Sequence, residues 1–187
     1  MTPAGRAPGS EAEPVDVTAF IGLGSNLGDG VATLRSAIDA LAAMDGTRLL
    51  RASSLYRTPA WGVTAQPDFV NAVAMLETRR TPQQLLADLL AIERDAGRER
   101  QADGSDRWGP RTLDLDLLLF GDAQVSEPGL HVPHPHLHAR AFALVPLLEI
   151  APDVVIPGIG PAHQALAKME PGEVEAVTYA GSPHDRP

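Results

Sequence analysis

Apolar residues recur along this chain with two spacings, every second residue or every third to fourth, and their order predicts its elements. Residues 17–23 are apolar and β-favouring. The run breaks into Gly24-Ser25-Asn26-Leu27-Gly28-Asp29, a strand ending in a glycine turn with Asp29 near a helix N-terminus. Leu34, Ile38 and Leu41 fall at i, i+4 and i+7, so an amphipathic helix runs to about Met44 and stops at Gly46. Residues 49–56 and 69–76 read as the second and third strands. The connection between them, 57–67, exceeds what a hairpin needs, and long loops in compact domains are usually functional or disordered.

Thr81 is a plausible N-cap with Pro82 at the first helical position. Leu85, Leu89, Ile92 and Ala96 form the buried stripe of that second helix, and Gly97 ends it. Residues 98–112 carry no periodicity and read as a second long loop, before a strongly apolar strand at 113–120 stopped by Gly121-Asp122. An apolar helix at 140–150 ends before Pro152. The order βαββαβ describes an α+β protein with a ferredoxin-like core, an antiparallel sheet carrying two helices on one face. The two long loops could then close over a common site. A single domain is expected over 17–180, with 1–16 a disordered extension and 181–187 a frayed end.

The last strand of that core carries the chemistry. In Leu113-Asp114-Leu115-Asp116-Leu117 the two acids project to one face while the leucines face the other. Neighbouring carboxylates repel and lose hydration when buried, so a positive partner should sit between them. A hard divalent ion such as Mg²⁺, which shares itself between carboxylates and substrate phosphates, is the natural candidate. An Asp-x-Asp pair is more often a solvated face. Here it sits in a strand that otherwise wants burial, directly after Arg107-Trp108-Gly109-Pro110-Arg111, whose arginines suit phosphate oxygens.

Composition narrows the classes. The chain of 187 residues has no cysteine, which removes disulfides, thiolate zinc sites and cysteine nucleophiles, and suits the cytoplasm. No apolar run approaches a membrane span, and a net charge of -9 argues against a nucleic-acid binder. Lys168 is the sole lysine and lies outside any Gly-Lys-Ser/Thr context, so a Walker-type loop is excluded. Arginine must therefore handle any nucleotide phosphates. Arg94, Arg98, Arg100, Arg107 and Arg111 crowd one segment, interleaved with acids that could neutralise them.

Gly22-Leu23-Gly24-Ser25-Asn26-Leu27-Gly28 has the spacing GxGxxxG and no parallel βαβ unit follows, so a tight strand-to-helix turn is favoured over a dinucleotide fingerprint. His131, His134, His136 and His138 read as loop histidines with at most one functional member. His134, fixed between Pro133 and Pro135, is the phosphate-contacting candidate. Aromatics are only 4% of the chain. Phe69, Trp61, Trp108 and Phe142 could form a slot for a flat heterocycle, each with a polar neighbour able to orient it.

These blocks, with Ser54-Leu55-Tyr56-Arg57-Thr58-Pro59, Gln66-Pro67-Asp68-Phe69-Val70-Asn71-Ala72, Val132-Pro133-His134 and Pro146-Leu147-Leu148-Glu149-Ile150-Ala151-Pro152, resemble the 6-hydroxymethyl-7,8-dihydropterin pyrophosphokinase family of the folate pathway. The resemblance runs from about residue 19 to residue 165. It implies transfer of a pyrophosphoryl group from ATP to the pterin hydroxymethyl oxygen, releasing AMP, with Asp114 and Asp116 as ligands of two Mg²⁺ ions. It further implies that Phe69 and Phe142 sandwich the pterin while Asn71 and Thr58 bond its edge. Trp61 and Trp108 belong to the covering loops, Arg98 and Arg111 meet the phosphates as catalytic groups, and Arg100, Arg107, His134 and Arg140 contact the nucleotide. A monomer acting on small molecules is expected, with neither nucleic acid nor membrane as partner. No residue stands out as a general base. A non-catalytic nucleotide- or pterin-binding module of the same fold is the alternative.

The segment between Arg98 and Arg107 is a few residues longer than in compact family members, through Ala102 to Asp106, and Phe69 stands where some relatives carry tyrosine. The extension at 1–16 has no counterpart.

Overall fold

The computed structural model describes residues 16–59, 66–98 and 111–169, with the backbone of 175–176. In chain order its elements are β1 (Val17–Ser25), α1 (Gly30–Ala42), β2 (Thr47–Ala52), β3 (Tyr56–Thr58), β4 (Phe69–Thr78), α2 (Pro82–Asp95) and β5 (Asp114–Phe120). After these come β6 (Val125–Glu127), β7 (Leu130–Val132), a 3₁₀ turn (Leu137–Ala139), α3 (Ala141–Ile150), β8 (Val155–Ile156), β9 (Gly160–Pro161), α4 (Ala162–Ala167) and β10 (Glu175–Ala176). The predicted extension and frayed tail lie outside the described residues, apart from Asp16.

The main sheet runs β10-β3-β4-β1-β5, with β2 also pairing β4, and its pairings are antiparallel. Its ferredoxin-like core is the one predicted. Local chemistry sets the helix starts. The Asp29 carboxylate accepts from Ala32 N–H at 3.0 Å, and Thr81 and Gln84 form a reciprocal capping box ahead of α2.

One expectation needs correction and two need extension. The second strand, expected at 49–56, is two strands. At the break Ser53 N–H still donates to Val73 O while Ser53 Oγ accepts from Val73 N–H, both at 2.9 Å, so a side chain takes over one ladder bond and strand pairing resumes only at Tyr56. Helices also cover both faces of the sheet. Ala19, Ile21 and Leu23 pack with Leu34, Leu41, Leu85 and Leu89 of α1 and α2 on one side. Phe20, Val73 and Leu118 pack with Leu144 and Leu147 of α3 on the other. Strands apolar on both faces, as Val73 beside Ala72 and Ala74 makes β4, need cover on both. Finally, Glu93, 1% exposed, joins the α2 stripe beside Leu85 and Leu89, with Ile92 and Ala96 partly buried against the same core as expected.

The β1–β5 register shifts between Phe20 and Ile21, leaving Leu118 as an extra residue. Upstream of that bulge Asp114 sits opposite Gly24 and Asp116 opposite Gly22. Both acids therefore lie on the α3 face, where β1 offers no side chain against them.

The α3 layer is held mainly by apolar burial, and Leu147 is fully buried in it. Leu147→Ala is expected to lower the unfolding free energy by about 2–5 kcal/mol in urea titration, the range for a buried leucine that leaves a cavity. A loss well under 1 kcal/mol would mean the layer is not tightly packed.

Candidate active site

A cleft of about 880 Å³, its open mouth included, opens on the α3 face of the sheet. Its floor is β1 at Gly22 and Gly24. A Cβ on Gly24 would stand 3.4 Å from Asn71 Oδ1 and 3.9 Å from the Phe69 ring, and one on Gly22 would press Leu118 at 3.3 Å. Both glycines are inside the strand, and of the glycines in this motif only Gly28 takes a positive φ, 66°. The motif read as a tight turn is therefore mostly a cleared floor.

One end of the cleft is apolar and amide-lined. Phe69 and Phe142 both line it, one from the start of β4 and the other from the start of α3. Asn71 Nδ2 donates to Thr58 Oγ1 at 2.8 Å in a buried contact. That bond fixes the amide, so Asn71 Oδ1 and the Thr58 hydroxyl proton are the groups left for a flat ring's edge. Arg140 stands over the Phe142 ring, 5.6 Å from its centroid.

The other end is charged, and it treats its two carboxylates differently. Asp114 is bound by Arg98 and Arg111, each through a direct ion pair. Burial alone would raise its pKa, but the Arg111 and Arg98 charges outweigh that and hold it below the usual carboxylate range. Arg98 is itself seated by Glu93, whose Oε1 accepts from Arg98 Nη1 and from Leu115 N–H, both at 2.7 Å. Burial disfavours the Arg98 charge, yet Asp114 and Glu93 more than compensate, and its pKa is raised.

Asp116 is held more loosely. Its Oδ2 lies 3.8 Å from Arg140 Nη1 and 3.9 Å from His134 Nε2, beyond hydrogen-bond length. Desolvation in the cleft and the neighbouring Asp114 charge push its pKa up to about 7. His134 is held down to about 4 by burial, Arg140 and His136, so its ring is neutral at neutral pH. His136 N–H donates to His134 Nδ1 at 3.2 Å, which leaves the ring proton on Nε2, facing Asp116.

The cleft thus unites Thr58, Phe69, Asn71, Arg111, Asp114, Asp116, Arg140 and Phe142 of the predicted set. Arg98 stands behind Asp114 and His134 beside Asp116. Trp61, Arg100, Arg107 and Trp108 lie outside the described residues. Sequence reasoning missed Glu93, and it missed the work of Asn26. Asn26 Oδ1 accepts from Arg111 N–H at 2.8 Å, while its Nδ2 donates to Gln66 Oε1 at 3.1 Å and Pro67 O at 3.3 Å. One amide therefore joins the exits of both long loops. The only sequence signal was an asparagine immediately after the glycine-rich strand.

The family model for 7,8-dihydro-6-hydroxymethylpterin-pyrophosphokinase matches residues 20–152. The chain belongs to this pyrophosphokinase family. It is 48% identical over 159 residues to the 2-amino-4-hydroxy-6-hydroxymethyldihydropteridine pyrophosphokinase of Methylorubrum extorquens, covering 85% of this chain and 98% of that one. The enzyme of the same name from Haemophilus influenzae is 45% identical over 141 residues, covering 75% and 86%. Among solved structures, a triple mutant of Plasmodium falciparum HPPK-DHPS with SDX-DHP superposes with a TM-score of 0.65 at 14% identity, over 84% of this chain. The wild-type protein gives 0.63 at 13% identity. This chain spans about 45% of those longer chains, and at such identity the likeness speaks for the pyrophosphokinase fold alone.

The residues present fit a hard divalent cation. Asp116 opens into the cleft, 39% exposed, and its raised pKa marks a local shortage of positive charge. Asp114 keeps a lone pair on each oxygen beyond its arginine bonds. No cluster of three acidic or histidine ligands occurs among the described residues, so protein would supply two carboxylates and leave other positions to phosphate oxygens and water, which is how Mg²⁺ is usually bound.

A carboxyl group whose pKa is higher in the folded than in the unfolded state costs stability as pH rises from about 4, its unfolded value, to about 7, and the cost persists above that. Asp116→Asn should therefore stabilise the metal-free protein at pH 8, by roughly 1–2 kcal/mol after discounting for its exposed edge, and hardly at all near pH 4. Urea unfolding in a chelator at the two pH values checks this, and an equal effect at both would refute it.

Proposed function

We propose that this protein transfers the β,γ-diphosphate of ATP to the hydroxymethyl oxygen of 6-hydroxymethyl-7,8-dihydropterin, releasing AMP, in folate biosynthesis. The observation that carries this reading is the cleft's division into two ends. An aromatic, amide-edged slot suits a pterin, and an arginine-and-aspartate end suits a polyphosphate. The curated relatives, at 45–48% identity over most of the chain, bear the name of that activity.

In this reading Phe69 and Phe142 stack on the two faces of the pterin, and Asn71 and Thr58 fix its edge. The hydroxymethyl oxygen attacks the β-phosphorus and gives up its proton to water, an O–P bond forms, the bond to the α-phosphate oxygen breaks, and AMP carries away the electron pair. Two Mg²⁺ ions held by Asp114 and Asp116 would supply charge neutralisation to the attacking, bridging and leaving oxygens. Arg111, at the cleft wall, meets the phosphate charge that develops, and Arg98 shares that work while anchored on Glu93. His134 offers a neutral N–H donor and Arg140 a cation to the nucleotide. Trp61 and Trp108, with Arg100 and Arg107, are assigned to the loops that exclude water.

No helix among the described residues is long and apolar enough to cross a membrane. The cysteine-free composition suits a cytoplasmic enzyme.

Asp116→Asn is expected to keep the fold while lowering AMP release with Mg²⁺, ATP and the dihydropterin by several orders of magnitude, on the order of 10³ or more. Near-normal turnover would remove the metal assignment. If the chain were only a binding module, the wild-type protein would release no AMP in the presence of the pterin. Arg111→Ala is expected to lower kcat by about 10²–10³ while leaving pterin affinity within a few fold. Equal losses in both would give Arg111 a scaffold role instead.

A further inference from the structure

One cluster at the surface lies outside the cleft yet touches two elements that build it. Glu149, near the C-terminal end of α3, accepts from Ser54 N–H at 3.0 Å to each of its oxygens and from Ser54 Oγ at 2.9 Å. Its Oε2 also accepts from the Tyr56 hydroxyl at 2.7 Å. Beside it, Arg51 Nη1 donates to Ile150 O at 3.1 Å, a second tie from the same stretch to the same helix end. Between β2 and β3, Ser53 stays bonded to Val73, and β3 is registered on β4 with Tyr56 opposite Asn71, so the sheet places β3 and the Glu149 contacts tie α3 to it.

The consequence reaches the cleft through short, stiff segments. Tyr56 opens β3 opposite Asn71, and Thr58 closes it two residues on, opposite Phe69, where its hydroxyl accepts from Asn71 Nδ2. At the other end of the ten-residue helix α3, Phe142 faces the cleft with Arg140 just before it. A helix transmits position along its length, so pinning its far end to the start of β3 fixes both walls relative to each other. Burial, helped by Glu149, pushes the Tyr56 phenol up to about 12, so it is a hydroxyl donor at all ordinary pH values.

We propose that Glu149, acting through Tyr56 and Ser54, is a positioning residue for the heterocycle. It sets the spacing between the Thr58–Asn71 edge and the Phe142 face, without touching the ligand itself. This rests on the pterin reading above and adds a determinant of affinity to it.

The test uses the full chain and compares wild type, Tyr56→Phe, Glu149→Gln and the double variant. Steady-state assays vary the dihydropterin and ATP separately. Each single variant should raise the pterin KM about five- to tenfold, with kcat and the ATP KM within about twofold, and the double should be no worse than the poorer single. Thr47→Val serves as the control for general destabilisation. It removes a 2.8 Å hydroxyl contact to Thr78 at the far end of β4 and should lower thermal stability without moving the pterin KM. An unchanged pterin KM in both single variants, a matching rise in the ATP KM, additive effects in the double, or failure of both variants to fold would each overturn the inference. A wild-type protein that releases no AMP would instead overturn the functional reading, and this inference with it.

Discussion

Two like charges two residues apart on an edge strand are the constraint around which this molecule is arranged. Left alone in a partly desolvated cleft, Asp114 and Asp116 would repel and one would take up a proton. The fold resolves the conflict unequally. Asp114 receives Arg98 and Arg111 and stays ionised, while Asp116 is left with distant cations and a pKa near 7. The imbalance is what suits the proposed site to a divalent ion arriving with a polyphosphate. One acid is pre-charged and fixed, and the other gains most from a new positive neighbour.

Keeping the pair in place falls to groups that never face the cleft. Glu93 caps the buried N–H of Leu115 on the outer side of the edge strand and seats Arg98 with the same oxygen. The backbone carbonyl of Leu113 also accepts from Arg98, at 3.2 Å, so the arginine is bound to the strand it neutralises. Such buried charges are costly unless fully paired, and here each finds its partner within one connected network. On the opposite side of the strand Gly22 and Gly24 withhold side chains, and the space they leave is the cleft. Strands thus carry Thr58, Asn71, Asp114 and Asp116, while Arg98, Arg111, His134 and Arg140 stand in the connections beside them.

The aromatic end follows a different logic. Phe69 and Phe142 are far apart in sequence and meet only because α3 lies on the second face of the sheet, over Phe20, Val73 and Leu118. Arg140 and Phe142 come at the N-terminal end of that helix, while Leu144 and Leu147 bury its middle. One helix therefore couples core stability to the geometry of both the ring slot and the charged end.

The sequence by itself determined the element order, the helix caps at Asp29 and Thr81, the common face of Asp114 and Asp116, and family membership through its motif blocks. Those features depend on local dihedral preference, on strand and helix periods, or on residue identity, all of which are written within a few positions. The tertiary structure alone decided which acid would be paired, because Arg98, seated by Glu93, reaches Asp114 across a long loop. It also decided that Gly22 and Gly24 form a floor, that Asn26 joins two loop exits, and that Ser54, in the break between β2 and β3, meets Glu149. Each depends on which distant groups end up within about 3 Å of one another, and hydrogen bonds and ion pairs are satisfied by proximity in space, which no local pattern encodes.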